Sequence, residues 1–267
     1  MWVKSLPTLV DRKVSLQRDI VANNDYANYA NWESAAPKNV GSASGVSYFD
    51  GRGHTIYGYY VIGCFCTNAG FGAIIKNLRF KNCVFMSNSA NPVACPIRNS
   101  GSAFNVCSES CLMKSTNQND WYGASGLFEN PTYAGEAKIK NIYTINCTLK
   151  GSVAYGHGGI LNGKTERNTC NIYNAYGSVS SSTFDYVTGG CDALVAFNRV
   201  YKNTSPSWAS AGSYTTTSCA NKTNESMKTQ AFCDLLNAGS VADPDFLCSD
   251  WHWQNEMFPY LFDWTQT

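Results

Sequence analysis

Charge is scarce in this chain. Only 15% of its 267 residues are Asp, Glu, Lys or Arg, well under the roughly 25% of an average soluble protein. Twenty basic and 19 acidic residues leave a formal charge of +1, and without a basic run there is no electrostatic footprint for nucleic acid or an anionic membrane. Histidine is rarer still, with three copies. No cysteine spacing matches the paired CxxC or Cys/His pattern of a structural zinc site, so no metal and no cofactor are expected. Long apolar runs are missing as well. Nothing approaches the roughly 20 residues that cross a bilayer, and Met1-Trp2-Val3-Lys4-Ser5 opens without the apolar segment of a signal peptide, as expected of an excised module. What remains is a polar, mostly uncharged surface, suited to a neutral hydrogen-bonding ligand.

Repetition is what the chain does have. Ile75-Lys76-Asn77-Leu78-Arg79-Phe80-Lys81-Asn82-Cys83 and Ile139-Lys140-Asn141-Ile142-Tyr143-Thr144-Ile145-Asn146-Cys147 are copies of one pattern, and Cys170-Asn171-Ile172-Tyr173-Asn174-Ala175-Tyr176 is a looser third. Apolar and polar residues alternate in each, the period of a strand with one buried face. The first two copies start 64 residues apart, a spacing that leaves room for one diverged unit between them. Units of this size stack into a solenoid, so one all-β domain is expected.

Other segments fit around that repeat. Residues 1–48 read as an amino-terminal cap, with a strand over Leu16 to Val21 and Trp32 in the cap. Phe49-Asp50-Gly51-Arg52-Gly53-His54-Thr55-Ile56 opens the repeats, which run over 49–225 with inserted loops, and His54 reads as a turn residue. A Gly-apolar element recurs as Gly70-Phe71-Gly72, Gly126-Leu127-Phe128 and Gly159-Ile160-Leu161, with further copies read at Gly101 to Phe104 and at Ala193 to Ala196. Asn77, Asn141 and Asn171 match in position, as do Asn82 and Asn146, and Asn at a turn suggests an internal ladder. Cys83 and Cys147 also match, so they are expected in the core as small hydrophobes or paired with neighbours. Twelve cysteines are compatible with oxidised pairs in an exported protein, but their connectivity is not readable. A helix is predicted over Met227 to Gly239, stopped by that glycine, and 226–267 is read as the carboxyl-terminal helix and cap, with Trp251 and Trp253 packing there.

These motifs together resemble bacterial GLUG-repeat proteins, which form right-handed parallel β-helices. The resemblance rests on the Trp32 segment, FDGRGHTI, the GFG, GLF and GILNG elements, the IKN strands ending in NC, and the AFCDLLN helix followed by FPYL. Within that group the chain is most similar to β-helical carbohydrate-binding modules attached to plant-polysaccharide hydrolases, including xylan-binding ones. The resemblance implies a secreted, non-catalytic module that binds a neutral β-linked polysaccharide, with a glycoside hydrolase as attached partner. Alternatives are an adhesin-type protein-binding repeat, or a polysaccharide lyase or hydrolase. Tyr155-Gly156-His157-Gly158-Gly159 resembles the GHG element of polygalacturonases, but the acidic partners of that chemistry are missing, so no catalytic residue is assigned. Two polar loops carry the sugar-binding candidates, since aromatic rings pack on pyranose faces while amides and hydroxyls bond the rim. These are Trp121 and Tyr122 with Asn119 and Asp120, and Trp208 with Tyr214.

Overall fold

The computed structural model describes residues 12–32, 46–67, 74–88, 94–98, 102–115, 124–129, 137–151, 158–162, 170–178, 186–189, 194–203, 207–209, 213–241 and 250–262. Strands dominate, and they form three parallel sheets and one small antiparallel pair, Trp251–His252 with Tyr260–Leu261. The longest has eight strands in line: Arg12–Ser15, Val46–Tyr57, Ile74–Lys81, Ser102–Glu109, Ala137–Ile145, Cys170–Ser178, Val195–Lys202 and Tyr214–Thr217; Ile20–Val21 and Ala220–Asn221 pair alongside, making ten. A second sheet holds Tyr60–Ile62, Val84–Met86, Leu112–Lys114 and Thr148–Lys150. The third runs from Cys66–Thr67 through Ile97–Arg98, Phe128–Glu129, Gly158–Asn162 and Tyr186–Gly189 to Ser207–Ala209. From Val46 to Asn162 the chain visits the long, four-stranded and six-stranded sheets in turn and then returns to the long one.

Local chemistry accounts for this path. Each long strand carries a left-handed residue near its middle: Asn77, Asn105, Asn141, Asn174 and Arg199 all lie near φ +50°, a region Asn tolerates better than most residues. One such residue resets the alternation, which is why Ile75 and Leu78, three apart, are both buried, as is Phe80. A second left-handed position, at Gly58, Asn82, Ser110 and Asn146, turns the chain out of the long sheet. The residues that follow, Tyr59, Cys83, Cys111 and Cys147, point into the core. That core takes Phe80 from the long sheet, Phe85 from the second and Phe128 from the third, with Phe65, Phe80 and Phe85 meeting edge-on at 5.4 and 6.0 Å. No disulfide joins any two of the ten cysteines among the described residues.

Several expectations shift in detail. Asn171 pairs with Lys138 and lies outside the asparagine column, whose member on that strand is Asn174; the looser copy is displaced by three residues. The diverged unit is Ser102–Glu109, with Asn105 in the column. Consequently the described part of the element read at Gly101 to Phe104 belongs to the long strand Ser102–Glu109, and that of the one read at Ala193 to Ala196 runs into Val195–Lys202. The expected strand at Leu16 to Val21 divides into Arg12–Ser15 and Ile20–Val21, with Leu16 buried at the break. Gly70-Phe71-Gly72 and His157 lie outside the described residues.

The carboxyl-terminal segment was expected to close the end of the stack, but it straps the flank of the long sheet. Helix α1 (Asn224–Met227) starts at Thr223, whose hydroxyl accepts from Ser226 N at 3.1 Å. Helix α2 (Gln230–Val241) is capped by Thr229, which accepts from Phe232 N at 3.2 Å. Gly239 sits inside α2 and does not stop it: a Cβ there would collide with the Asn174 side chain. Asn237 then holds the Trp251–His252 strand, donating to Trp251 O at 2.9 Å and accepting from Trp251 N at 2.7 Å. Tyr143, Tyr176, Tyr201, Phe232, Leu236 and Trp251 form the apolar seam between strap and sheet. The physical reason is the outward face itself: its tyrosines need burial, and a strap supplies it. The strap reaches from Ser178, bonded to Asn224 at 2.7 Å, to Phe262, which packs near Gly53 at the first long strands.

Candidate functional site: two concavities on the outward sheet face

The asparagine column divides the outward face of the long sheet into two facets. On the first, register places Lys138, Asn171, Ala196 and Thr215 in one row and Lys140, Tyr173, Asn198 and Thr217 in the next. These rows line a groove of about 260 Å³ that crosses four strands, roughly 14 Å. Asn171, Tyr173 and Asn198 are half-buried and Thr215 and Thr217 exposed. The Lys140 ammonium lies 5.3 Å from the centre of the Tyr173 ring, a cation–π contact that fixes the ring at the groove floor. An aromatic face flanked by amides, hydroxyls and ammonium groups can pack the C–H side of a sugar ring and bond its hydroxyls.

The second facet lies under the strap. There a cleft of about 430 Å³ is lined by Tyr57, Arg79, Lys81, Glu109, Tyr143 and residues of the strap including Lys228, Glu256, Phe258 and Tyr260. Arg79, only 5% exposed, donates to Glu109 Oε2 at 3.3 Å, to the Tyr57 hydroxyl at 3.3 Å and to Thr55 Oγ1 at 3.0 Å. Lys81 Nζ meets the other Glu109 oxygen at 2.8 Å. Burial holds the Tyr143 phenol well above its ordinary pKa, so it is a neutral donor near neutrality. Glu109 and Glu256 are the carboxylates of this cleft. Cations already engage both oxygens of Glu109, Arg79 on Oε2 and Lys81 on Oε1.

Of the sequence-predicted site residues, the two that are described, Trp208 and Tyr214, line neither concavity. Trp121, Tyr122, Asn119 and Asp120 lie outside the described residues. Trp208 and Tyr214 come together, but around the inward-facing Phe197, at ring separations of 5.3 and 6.0 Å. Trp208 also receives the Lys202 ammonium at 5.1 Å and packs against the core, so it finishes the last described turns of the sheet stack. Tyr214 is 47% exposed, on the strand that supplies Thr215 and Thr217 to the groove. Trp251 is buried, 5.9 Å from Tyr143 and 5.6 Å from Tyr176. Trp32 stacks on Tyr60 at 6.0 Å, outside the four-stranded sheet. His54 anchors the entry segment: its Nδ1 lies 3.2 Å from Asp19, which also accepts from Thr55 N at 2.9 Å. Among the described residues, no group of three or more His, Cys, Asp or Glu is placed to hold a metal ion, and no helix is long and apolar enough to cross a membrane.

Neither concavity was singled out from sequence, although the signal was present. Strict alternation in Leu78-Arg79-Phe80-Lys81 puts both cations on one face, and Tyr173 and Asn171 are alternate residues of a repeat copy. The chain matches no protein-family model, no curated protein and no solved structure. A functional reading therefore rests on the chemistry of the two concavities.

Proposed function

We propose that the chain is a right-handed parallel β-helix serving as a non-catalytic carbohydrate-binding module. It holds a β-linked plant cell-wall polysaccharide, xylan foremost, outside the cell and keeps an attached glycoside hydrolase close to that substrate, raising its effective concentration without chemistry of its own. The repeated three-sheet circuit with parallel pairing throughout supports the β-helix. The groove around Tyr173 carries the binding reading. It runs across strands, so along one row it offers a side chain at each strand spacing to a repeating polymer: Lys140, then the aromatic face of Tyr173, then Asn198 and Thr217. Trp121, Tyr122, Asn119 and Asp120 are retained as further proposed contacts on their sequence setting alone.

Affinity electrophoresis against soluble xylans, glucans, mannans and pectins tests the proposal. Retardation by xylan, with no release of reducing ends or unsaturated products on long incubation, is expected. Migration unaffected by every glycan would favour the adhesin-type alternative, and product release by pure protein would favour an enzyme.

A further inference from the structure

The cleft under the strap differs from the groove in shape, charge and unmet hydrogen bonding. Its volume of about 430 Å³ falls within the roughly 300–1,000 Å³ of small-molecule sites. Tyr143 lines it and is fully buried, and its hydroxyl meets no oxygen or nitrogen partner, only the Cys107 thiol. Buried polar groups are nearly always satisfied, and a thiol is a weak partner, so a phenol left with a thiol alone beside a cavity marks a place where a ligand or water belongs.

Charge adds a second, independent pointer. On the floor, Arg79 and Lys81 share the single carboxylate of Glu109, leaving an excess of one positive charge. Lys228 brings another: its ammonium lies 5.1 Å from the centre of the Phe258 ring and pairs with no carboxylate among the described residues. Among the described residues Glu256, which is exposed, is the one further acid in the lining, so three cations face two carboxylates and one positive charge remains in excess. The interior thus favours an anion, while Phe258 and Tyr260 offer apolar ring surface and Tyr143 and Glu109 offer a donor and an acceptor for hydroxyl groups.

We propose that this cleft is a second binding site, specific for a single uronic-acid unit, whose carboxylate faces Lys81 and Lys228 and whose hydroxyls bond Tyr143 and Glu109. A neutral sugar would leave the excess positive charge uncompensated, and a bare inorganic anion would leave the phenol and the ring surfaces unused. The site does not depend on the groove, and the two are separable by experiment.

Calorimetric titration of the full chain with glucuronate, galacturonate, glucose, xylose and inorganic phosphate tests this. Uronates should bind in the millimolar range or tighter, weaken as salt is raised, and exceed glucose, xylose and phosphate by about tenfold or more. Tyr143→Phe, which removes only the hydroxyl, and Lys228→Met should each lower uronate affinity about tenfold, with the melting temperature of Tyr143→Phe no lower than that of the parent. Tyr173→Ala, in the groove, should leave uronate binding unchanged. The inference is overturned if uronates do not bind, if glucose or phosphate binds as well as glucuronate, or if both cleft variants bind like the parent. Loss of polysaccharide binding in Tyr173→Ala with uronate binding retained would support the two-site account.

Discussion

Asn174 donates its side-chain amide to the side-chain carbonyl of Asn141 on the neighbouring strand, and both amides also reach the Ser240 hydroxyl in α2, at 3.1 and 3.0 Å. One strand-to-strand contact thereby joins the repeat to the strap. Asn105 and Asn77 continue the column with a bond of 2.8 Å, and Asn77 donates to Asp50 at 2.9 Å.

Replacing Asn141 tests both jobs of that residue. Asn141→Ala loses the ladder bonds, leaves buried partners unpaired and places a less tolerant residue at φ +50°. A destabilisation of about 2–4 kcal/mol is expected from these two effects. Asn141→Gly keeps the backbone at ease and should lose less, and urea unfolding midpoints of the two variants measure the difference.

Gly239→Ala carries an unusual sign. Within an ordinary helix interior this change stabilises by about 1 kcal/mol. Here the new methyl group meets Asn174 against the sheet, so thermal melting should show a loss, and an unchanged or raised melting temperature would mean that α2 stands further from the column than described.

Alkaline pH should unfold the protein. Burial lifts the thiols of Cys66 and Cys107 to about 12, and that of Cys233 to about 11, from 9.0; burial likewise raises the Tyr143 and Tyr176 phenols well above 10.0. The folded state therefore keeps protons that the unfolded chain releases, and stability falls as pH rises. Their contribution is fully present below about pH 9 and is lost at about 1.4 kcal/mol per pH unit for each such group above its unfolded pKa, up to its folded one. Melting temperatures should be level from neutrality to about pH 8.5 and drop steeply beyond it. The same burial predicts that thiol reagents titrate few cysteines in the native protein and many more after denaturation.

What was legible in the sequence was whatever lay in one strand. Alternation in Ile75 to Lys81 and Ile139 to Ile145 disclosed parallel strands with one buried face, and the shared Asn and Cys positions disclosed the turns. The third copy misled because Cys170-Asn171-Ile172 imitates the start of the motif while the left-handed residue of the column, Asn174, comes three places after Asn171. Contacts between distant segments were not legible: nothing in Phe258-Pro259-Tyr260 states that it lies beside Arg79 and Glu109, because that neighbourhood depends on the strap running down the sheet. The groove was missed for a related reason. Its members are spread over four strands, each an unremarked outward residue until register aligns them. Aromatic residues in polar loops are easier to notice, yet Trp208 is spent on covering Phe197.

The most direct test of the central claim is calorimetric titration of Tyr173→Ala against whichever polysaccharide the parent retains on the gel. Loss of an aromatic platform should weaken binding by about 1–3 kcal/mol, while the half-buried, outward position of Tyr173 keeps the melting temperature close to that of the parent. Trp208→Ala should do the opposite, lowering stability through the lost contact with Phe197 and leaving affinity intact in the folded fraction. Unaltered binding in Tyr173→Ala, with the fold preserved, would contradict the assignment of the groove as the polysaccharide site.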